Sequence, residues 1–352
     1  MKILALTFDA AGNLPPLLGL AEALIARGHT VEIMGHLSQA SRIEAAGGHY
    51  LPFVDAPERN GDEDAPLTLG WLEGFDHAAA WDFLSAARRH AADVLMVDVL
   101  LAASMDAAIG SRWPAVAFAH APYEILANFM GGRFRPGLEA SDLVVVTSYA
   151  AFHAGPHVPQ DVVFSGPLRP RPFRTAASDA AWTRRHPSRP LILASLSTGQ
   201  QSQRPALERL CEALAGLDAE VLVTIGPAMS PDGLAAGPFM SLERVVPHEA
   251  VLPMADLVVT HAGHGTVCAA LVAGVPMLCL PGGGDQPFNA DRVVELGLGQ
   301  RLDASSASET ISEAIRRLLA DRALRRRARA FAAVVAAEPG PMPAIERIEA
   351  LT

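Results

Sequence analysis

The segment Leu257-Val-Val-Thr-His-Ala-Gly-His-Gly-Thr-Val-Cys-Ala-Ala-Leu271 carries the residues best suited to hold an anion. An apolar strand run ends at Thr260, a small-residue turn follows, and a helix is expected to begin near Gly265. A helix start offers main-chain N–H groups without intrahelical partners and the positive end of the helix dipole. Gly263 and Gly265 let a diphosphate approach the backbone closely, because neither carries a Cβ. Thr266 adds a hydroxyl donor and His261 a ring N–H. A second glycine turn, Pro281-Gly-Gly-Gly-Asp-Gln-Pro-Phe-Asn-Ala290, again follows a strand run. Its Asp285 and Gln286 are a carboxylate and an amide, which suit sugar hydroxyls. Ser195-Leu-Ser-Thr198 ends another strand run and supplies further hydroxyls.

Proton chemistry has fewer candidates. Asp9, Asp98 and His120 each follow an apolar strand run, so the fold would aim them at one edge of a sheet. A His near its ordinary pKa, oriented by an Asp, suits removal of a hydroxyl proton. Metal chemistry is poorly served. His261 and His264 are three apart but have no third ligand nearby, and Asp62-Glu63-Asp64 reads as a solvated loop. Lys2, at the start of the first strand, is the only lysine. P-loop and Schiff-base mechanisms therefore have no lysine to use.

These residues need a scaffold of strand-ended turns, and the hydrophobic pattern describes one. Ile3 to Phe8, Val31 to Met34, Val94 to Val97, Ala115 to Phe118, Leu143 to Val146 and Val162 to Phe164 read as parallel strands with helices between them. Prolines crowd residues 167–189, which read as a linker. The pattern then restarts with Leu191 to Ser195, Glu220 to Ile225, Leu257 to Thr260 and Pro276 to Leu280. Helices are expected at 203–216, 265–273, 287–296 and 307–335, the last broken near Asp321. The expected organisation is an α/β chain of two doubly wound domains, 1–166 and 190–335. A final helix within 336–352 would cross back to the first domain. Trp71 and Phe75, one helical turn apart, read as core or as a wall contacting an apolar ligand.

Composition bounds the partners. The chain has 352 residues, half of them apolar, and a formal charge of −10. That excludes a protein-wide basic field for nucleic acid. Cys211, Cys268 and Cys279 lie far apart in apolar segments and read as reduced core residues. With no apolar run of membrane-spanning length and no signal-like start, a cytoplasmic protein is expected.

His261-Ala-Gly-His-Gly-Thr266, Gly274-Val-Pro276 and Asp285-Gln286 together resemble the donor signature of the nucleotide-sugar-dependent glycosyltransferases of the GT-B fold, of the bacterial natural-product and xenobiotic type. Val246-Pro247-His248, the Gly12-to-Pro16 turn and Arg27-Gly-His29 support the resemblance. It implies two facing Rossmann-like domains, the first binding the acceptor and the second the donor, with inversion at the anomeric carbon and neither metal nor cofactor. Under it His261, Gly263, His264, Gly265, Thr266 and Thr198 serve the diphosphate, Asp285 and Gln286 the sugar, and the Val246 main chain the base. Two positions depart from the pattern. Val245 stands where many relatives stack a Trp on the base, and Ala269 where many place a ribose-binding Glu.

The resemblance also implies a His–Asp pair in the first domain. Asp98 matches its Asp, but the His position falls on Asn13, which cannot act as a base. Asp9 or Asp98 as carboxylate base is the favoured reading. His120 acting directly, or Asn13 holding an acidic acceptor, are the alternatives. Trp71, Phe75 and Tyr123 are the candidate acceptor contacts. The reading is a UDP- or dTDP-sugar glycosyltransferase acting on a small hydrophobic hydroxylated acceptor, as a monomer or homodimer. The rivals are a sugar-nucleotide epimerase and a catalytically silent nucleotide-binding auxiliary protein.

Overall fold

The computed structural model describes residues 1–10, 12–60, 68–153, 155, 158–168, 182–196, 204–226 and 229–352. The chain divides into two compact units. The first is Met1–Phe173 with Glu338–Thr352, and the second is Arg174–Ala337.

The first unit is built on β1 (Lys2–Leu6), β2 (Thr30–Met34), β3 (His49–Leu51), β4 (Val94–Asp98), β5 (Ala115–Ala119), β6 (Leu143–Val146) and β7 (Val162–Phe164). All pair in parallel, in the order β3-β2-β1-β4-β5-β6-β7. The central strands are apolar on both faces because helices cover both. Leu4 and Leu6 enter one core, with Phe75 and Phe83; Ile3 and Ala5 enter the other, with Leu17 and Leu24. Each fully buried Leu or Ile contributes roughly 1.5–3 kcal/mol relative to exposure, which makes these runs the backbone of the fold.

The strand order reverses between β1 and β4. At such a switch point the turns leaving neighbouring strands diverge, and a crevice opens at the carboxyl ends. Asp9, Asn13 and Asp98 lie there, with His120 just past β5. β1 ends at Leu6, two residues before the expected Phe8, so Asp9 sits on the following turn. Asp98 is the last residue of β4 itself.

Helix Leu69–His90 begins with the Thr68 hydroxyl accepting the Trp71 N–H (3.3 Å) and carries Arg88, Arg89 and His90 in its last turn, which favours the helix dipole. Its two buried carboxylates anchor neighbours. Asp76 accepts the N–H groups of Ala103 (2.7 Å) and Ser104 (3.0 Å) at the start of helix Ala102–Ile109. Asp82 accepts those of Val54, Asp55 and Ala56. The closing helix Met342–Glu349 buries Ala344, Ile345 and Ile348 in the second core of the first unit, and Glu349 pairs with Arg27 (2.9 Å) and His29 (2.8 Å).

The second unit contains β8 (Leu191–Ser195), β9 (Glu220–Thr224), β10 (Met240–Glu243), β11 (Leu257–Thr260), β12 (Met277–Cys279) and β13 (Gly299–Arg301), all parallel, in the order β10-β9-β8-β11-β12-β13. The same reversal falls between β8 and β11, which ends Ser195 beside Thr260. The long helix expected at 307–335 is two helices, Ser308–Ala320 and Arg322–Ala336. Asp321 leaves the helical region (ψ 92°) and caps the second through the Leu324 N–H (2.8 Å). Thr198, the Asp62–Asp64 acidic run and much of the expected linker lie outside the described residues.

Candidate functional site

Asn13 stands at the start of helix Leu14–Ala26. Asn is common there because its side chain normally accepts an N–H from the first turn. Here that turn contains Pro15 and Pro16, which have no N–H, and the Asn13 side chain makes no cap. It turns inward instead. Its amide nitrogen lies 2.8 Å from Asp98 Oδ2, 3.0 Å from the Phe8 carbonyl oxygen and 3.3 Å from Thr7 Oγ1.

Asp98 is the hub of this cluster. It is 1% exposed. Oδ1 accepts the Leu100 N–H (3.1 Å), and Oδ2, already bound to Asn13, lies 3.5 Å from His120 Nδ1. At this burial the Asp98 carboxylate faces its neighbours rather than solvent, unlike the exposed base that the sequence suggested. Asn13, 2% exposed, is equally covered. Asp9 is also largely buried, with Oδ2 accepting from Ser38 Oγ (2.7 Å). His120 differs. Its side chain is 16% exposed while Nδ1 is buried, so the open part of the ring faces away from Asp98.

The aromatic expectations divide. Phe75 is a core residue, 1% exposed, packed on Phe8, Phe53 and His36, and this overturns its assignment as a ligand-contacting wall. Trp71 stacks on Phe75 (centroids 5.1 Å apart, planes at 8°), with the Arg59 guanidinium 5.3 Å from its ring. Tyr123 is half-buried at the start of helix Tyr123–Gly132, and burial raises its phenol pKa.

In the second unit, β11 runs into the turn His261-Ala-Gly263 and then helix His264–Ala273. Ala262 takes a left-handed backbone (φ 66°), a strained choice for a residue with a Cβ. It is held from both sides. Its N–H donates to Thr260 Oγ1 (3.1 Å), and its carbonyl accepts from Asn289 Nδ2 (3.0 Å). Gly263 closes the first helical turn by accepting the Thr266 (3.0 Å) and Val267 (3.1 Å) N–H groups. Gly265 is exposed and Thr266 half-exposed, whereas His264 is buried with its ring 3.4 Å from Cys268 Sγ. Burial pushes the His261 imidazole below its ordinary pKa, opposed by the Ser195 main chain and the Asp285 carboxylate. The ring is therefore neutral near pH 7 and acts as a hydrogen-bonding group.

Asp285 reaches this turn from the second glycine loop. Its Oδ2 accepts the His264 N–H (3.2 Å) and an N–H of Asn289 (2.7 Å). Gln286 is buried, with Oε1 accepting the Gly282 N–H (2.8 Å). Val246 is buried (8% exposed) beside an exposed Val245 (60%). Asn289 was missed from the sequence. Its role depends on a turn far upstream, and only its position in the helix after Asp285-Gln286 could have drawn attention to it. Among the described residues no group of three His, Cys, Asp or Glu side chains is placed to hold a metal ion, and no helix is long and apolar enough to cross a membrane.

Two Rossmann-like parallel-sheet units, each with its polar turns at the strand-order reversal, define a GT-B chain. Solved structures carry the same fold. The glycotransferase of kitacinnamycin superposes with a TM-score of 0.80 at 24% identity, covering 99% of this chain and 98% of that one. The calicheamicin glycosyltransferase CalG4 does so at 0.79 and 23%, covering 99% and 97%. Residues 208–351 match the family model of the erythromycin biosynthesis protein CIII-like C-terminal domain. The chain is 32% identical over 191 residues to demethyllactenocin mycarosyltransferase of Streptomyces fradiae, and 34% identical over 143 residues to zeaxanthin glucosyltransferase of Pseudescherichia vulneris. These matches take in 53% and 40% of this chain, and 40% and 35% of the relatives' own lengths. Across 99% of both chains it is 24% identical to 4'-demethylrebeccamycin synthase of Lentzea aerocolonigenes. The chain therefore has the GT-B fold and is similar in sequence, over part of its length, to bacterial glycosyltransferases.

Proposed function

We propose that the chain transfers a sugar from a UDP- or dTDP-sugar to a hydroxyl of a small, largely apolar acceptor, with inversion and without a metal, in the cytoplasm. The carrying observation is the turn from Thr260 to Thr266. It stands at the carboxyl edge of the second sheet beside Ser195, with Gly265 exposed at a helix start and a neutral His261 next to it. Such a turn suits a diphosphate because N–H groups and the helix dipole offer partial positive charge that needs no counter-ion. The same groups stabilise the negative charge that develops on the leaving diphosphate.

In this reading His120 is the base and Asp98 its positioning carboxylate. The acceptor O–H gives its proton to the exposed nitrogen of His120. The acceptor oxygen forms a bond to the anomeric carbon from the face opposite the leaving group. The bond from that carbon to the diphosphate oxygen breaks, and its electron pair leaves with the nucleoside diphosphate. The imidazolium so formed lies against Asp98 Oδ2, 3.5 Å from Nδ1. Asn13 donates to the same oxygen, filling the place where the family pattern has a histidine.

Calorimetric titration with UDP and dTDP, followed by incubation with pooled nucleotide sugars and a panel of phenols, tests the reading. Binding of one diphosphate and release of free nucleoside diphosphate with a glycoside product is the expected result. No binding of either diphosphate, or binding without turnover on any acceptor, removes it.

A further inference from the structure

We infer that Asn289 is a positioning residue that locks the diphosphate turn to the sugar-reading loop, so that the two halves of the donor site form as one unit. The inference rests on the reading of His261–Thr266 and Asp285-Gln286 as a donor site. Asn289 is fully buried, so each of its hydrogen bonds is costly to lose. Its amide nitrogen joins the start of its own helix to the turn before helix His264–Ala273. One bond goes to the carbonyl of Ala262, the residue held at φ 66° (3.0 Å); the other goes to Asp285 Oδ2 (2.7 Å). That oxygen also accepts the His264 N–H, so Asp285, His264, Ala262 and Asn289 close a ring of hydrogen bonds across the helix start.

Two consequences follow from the ring. Ala262 can leave its left-handed conformation once its carbonyl is released, and the His261 ring moves with it. Asp285 loses a partner that fixes its carboxylate, so its remaining oxygen no longer has a set direction. A single amide thus controls both the phosphate geometry and the sugar geometry, without touching either ligand.

Asn289→Ala, Asp285→Ala and the double variant separate this from simple loss of packing. With whichever of UDP or dTDP the wild type binds, Asn289→Ala is expected to weaken the diphosphate by about ten-fold and the matching nucleotide sugar by about a hundred-fold. Asp285→Ala is expected to weaken the nucleotide sugar chiefly. Adding it to Asn289→Ala should change affinity by less than about two-fold, because the carboxylate has already lost its shorter anchoring bond and keeps only the His264 N–H. Unchanged binding in Asn289→Ala, or fully multiplicative effects in the double variant, overturns the inference. If Asn289→Ala does not fold, the near-isosteric Asn289→Asp is read the same way.

A ligand-free measurement keeps this distinct from the assigned function. Hydrogen exchange at Ala262 and His264 should be faster in the variant, by about ten-fold or more, while helix Ser308–Ala320 is unchanged. A wild type that binds no nucleoside diphosphate refutes the donor-site reading, and the exchange rates still decide whether the ring exists. Equal exchange in wild type and variant overturns the inference.

Discussion

The imidazole of His261 lies over the α-carbon of Gly263. A methyl group placed on that carbon would overlap Nε2 and sit 3.0 Å from Cε1. Glycine at 263 thus lets the His261 ring keep this position, since the residue's φ of −61° is open to any residue. Gly263→Ala should displace His261 and weaken nucleoside diphosphate binding by about ten-fold or more, with a stability loss of about 1–3 kcal/mol. Calorimetric titration beside urea denaturation reads both. Unaltered affinity would show that His261 is not held where the ligand needs it.

His120 carries the proton step in the proposed mechanism. His120→Gln should lower kcat by about 10²–10³-fold and leave nucleoside diphosphate affinity within about two-fold. Asp98→Asn should lower kcat less, because the ring loses the carboxylate that orients it. A His120→Gln enzyme with wild-type kcat would return the base to Asp9.

Burial lowers the His261 pKa, which gives a stability signature. The unfolded chain binds a proton at this position near pH 6.5, whereas the folded chain does so only at lower pH. Stability from this group is present above about pH 6.5 and is lost as pH falls toward the folded pKa. His36 shares this behaviour, so the comparison must be made by difference. The midpoint of urea unfolding of His261→Asn should fall less than that of the wild type between pH 7 and pH 5. Parallel curves would mean that the His261 ring takes up its proton as easily folded as unfolded.

Asp76 caps helix Ala102–Ile109 from a different helix and also receives the Ser104 hydroxyl (2.6 Å). Removing it leaves the buried Ser104 N–H and the partly buried Ala103 N–H without a partner. Asp76→Ala should cost about 2–4 kcal/mol by urea denaturation. Because that helix follows the turn after Asp98, the same variant should also lower kcat. A cost below about 0.5 kcal/mol would mean that water replaces the carboxylate.

The central strands were legible because a parallel strand covered on both faces must be apolar throughout. Leu143–Val146, Leu191–Ser195 and Leu257–Thr260 were placed to the residue. The strands that escaped, His49–Leu51, Met240–Glu243 and Gly299–Arg301, lie at sheet edges, are short and carry polar residues. Helix Leu69–His90 was obscured by Gly70, Gly74 and two carboxylates whose use is to bind other segments. The donor turns could be read because close backbone approach demands glycine locally. The Asn13–Asp98–His120 cluster could be listed but not ordered, since burial decides which member meets solvent. Asn289 and the core placement of Phe75 depend on contacts between distant parts of the chain, which spacing does not encode.

Helix Met342–Glu349 completes a core whose other buried walls are made between Ile3 and Val163. The first unit is thus not a continuous stretch of polypeptide. A fragment ending at residue 173 would expose the groove that Ile345 and Ile348 fill, and would tend to self-associate rather than fold autonomously. Supplying residues 338–352, fused through a spacer or added as a synthetic peptide, is the route by which that unit could be obtained alone.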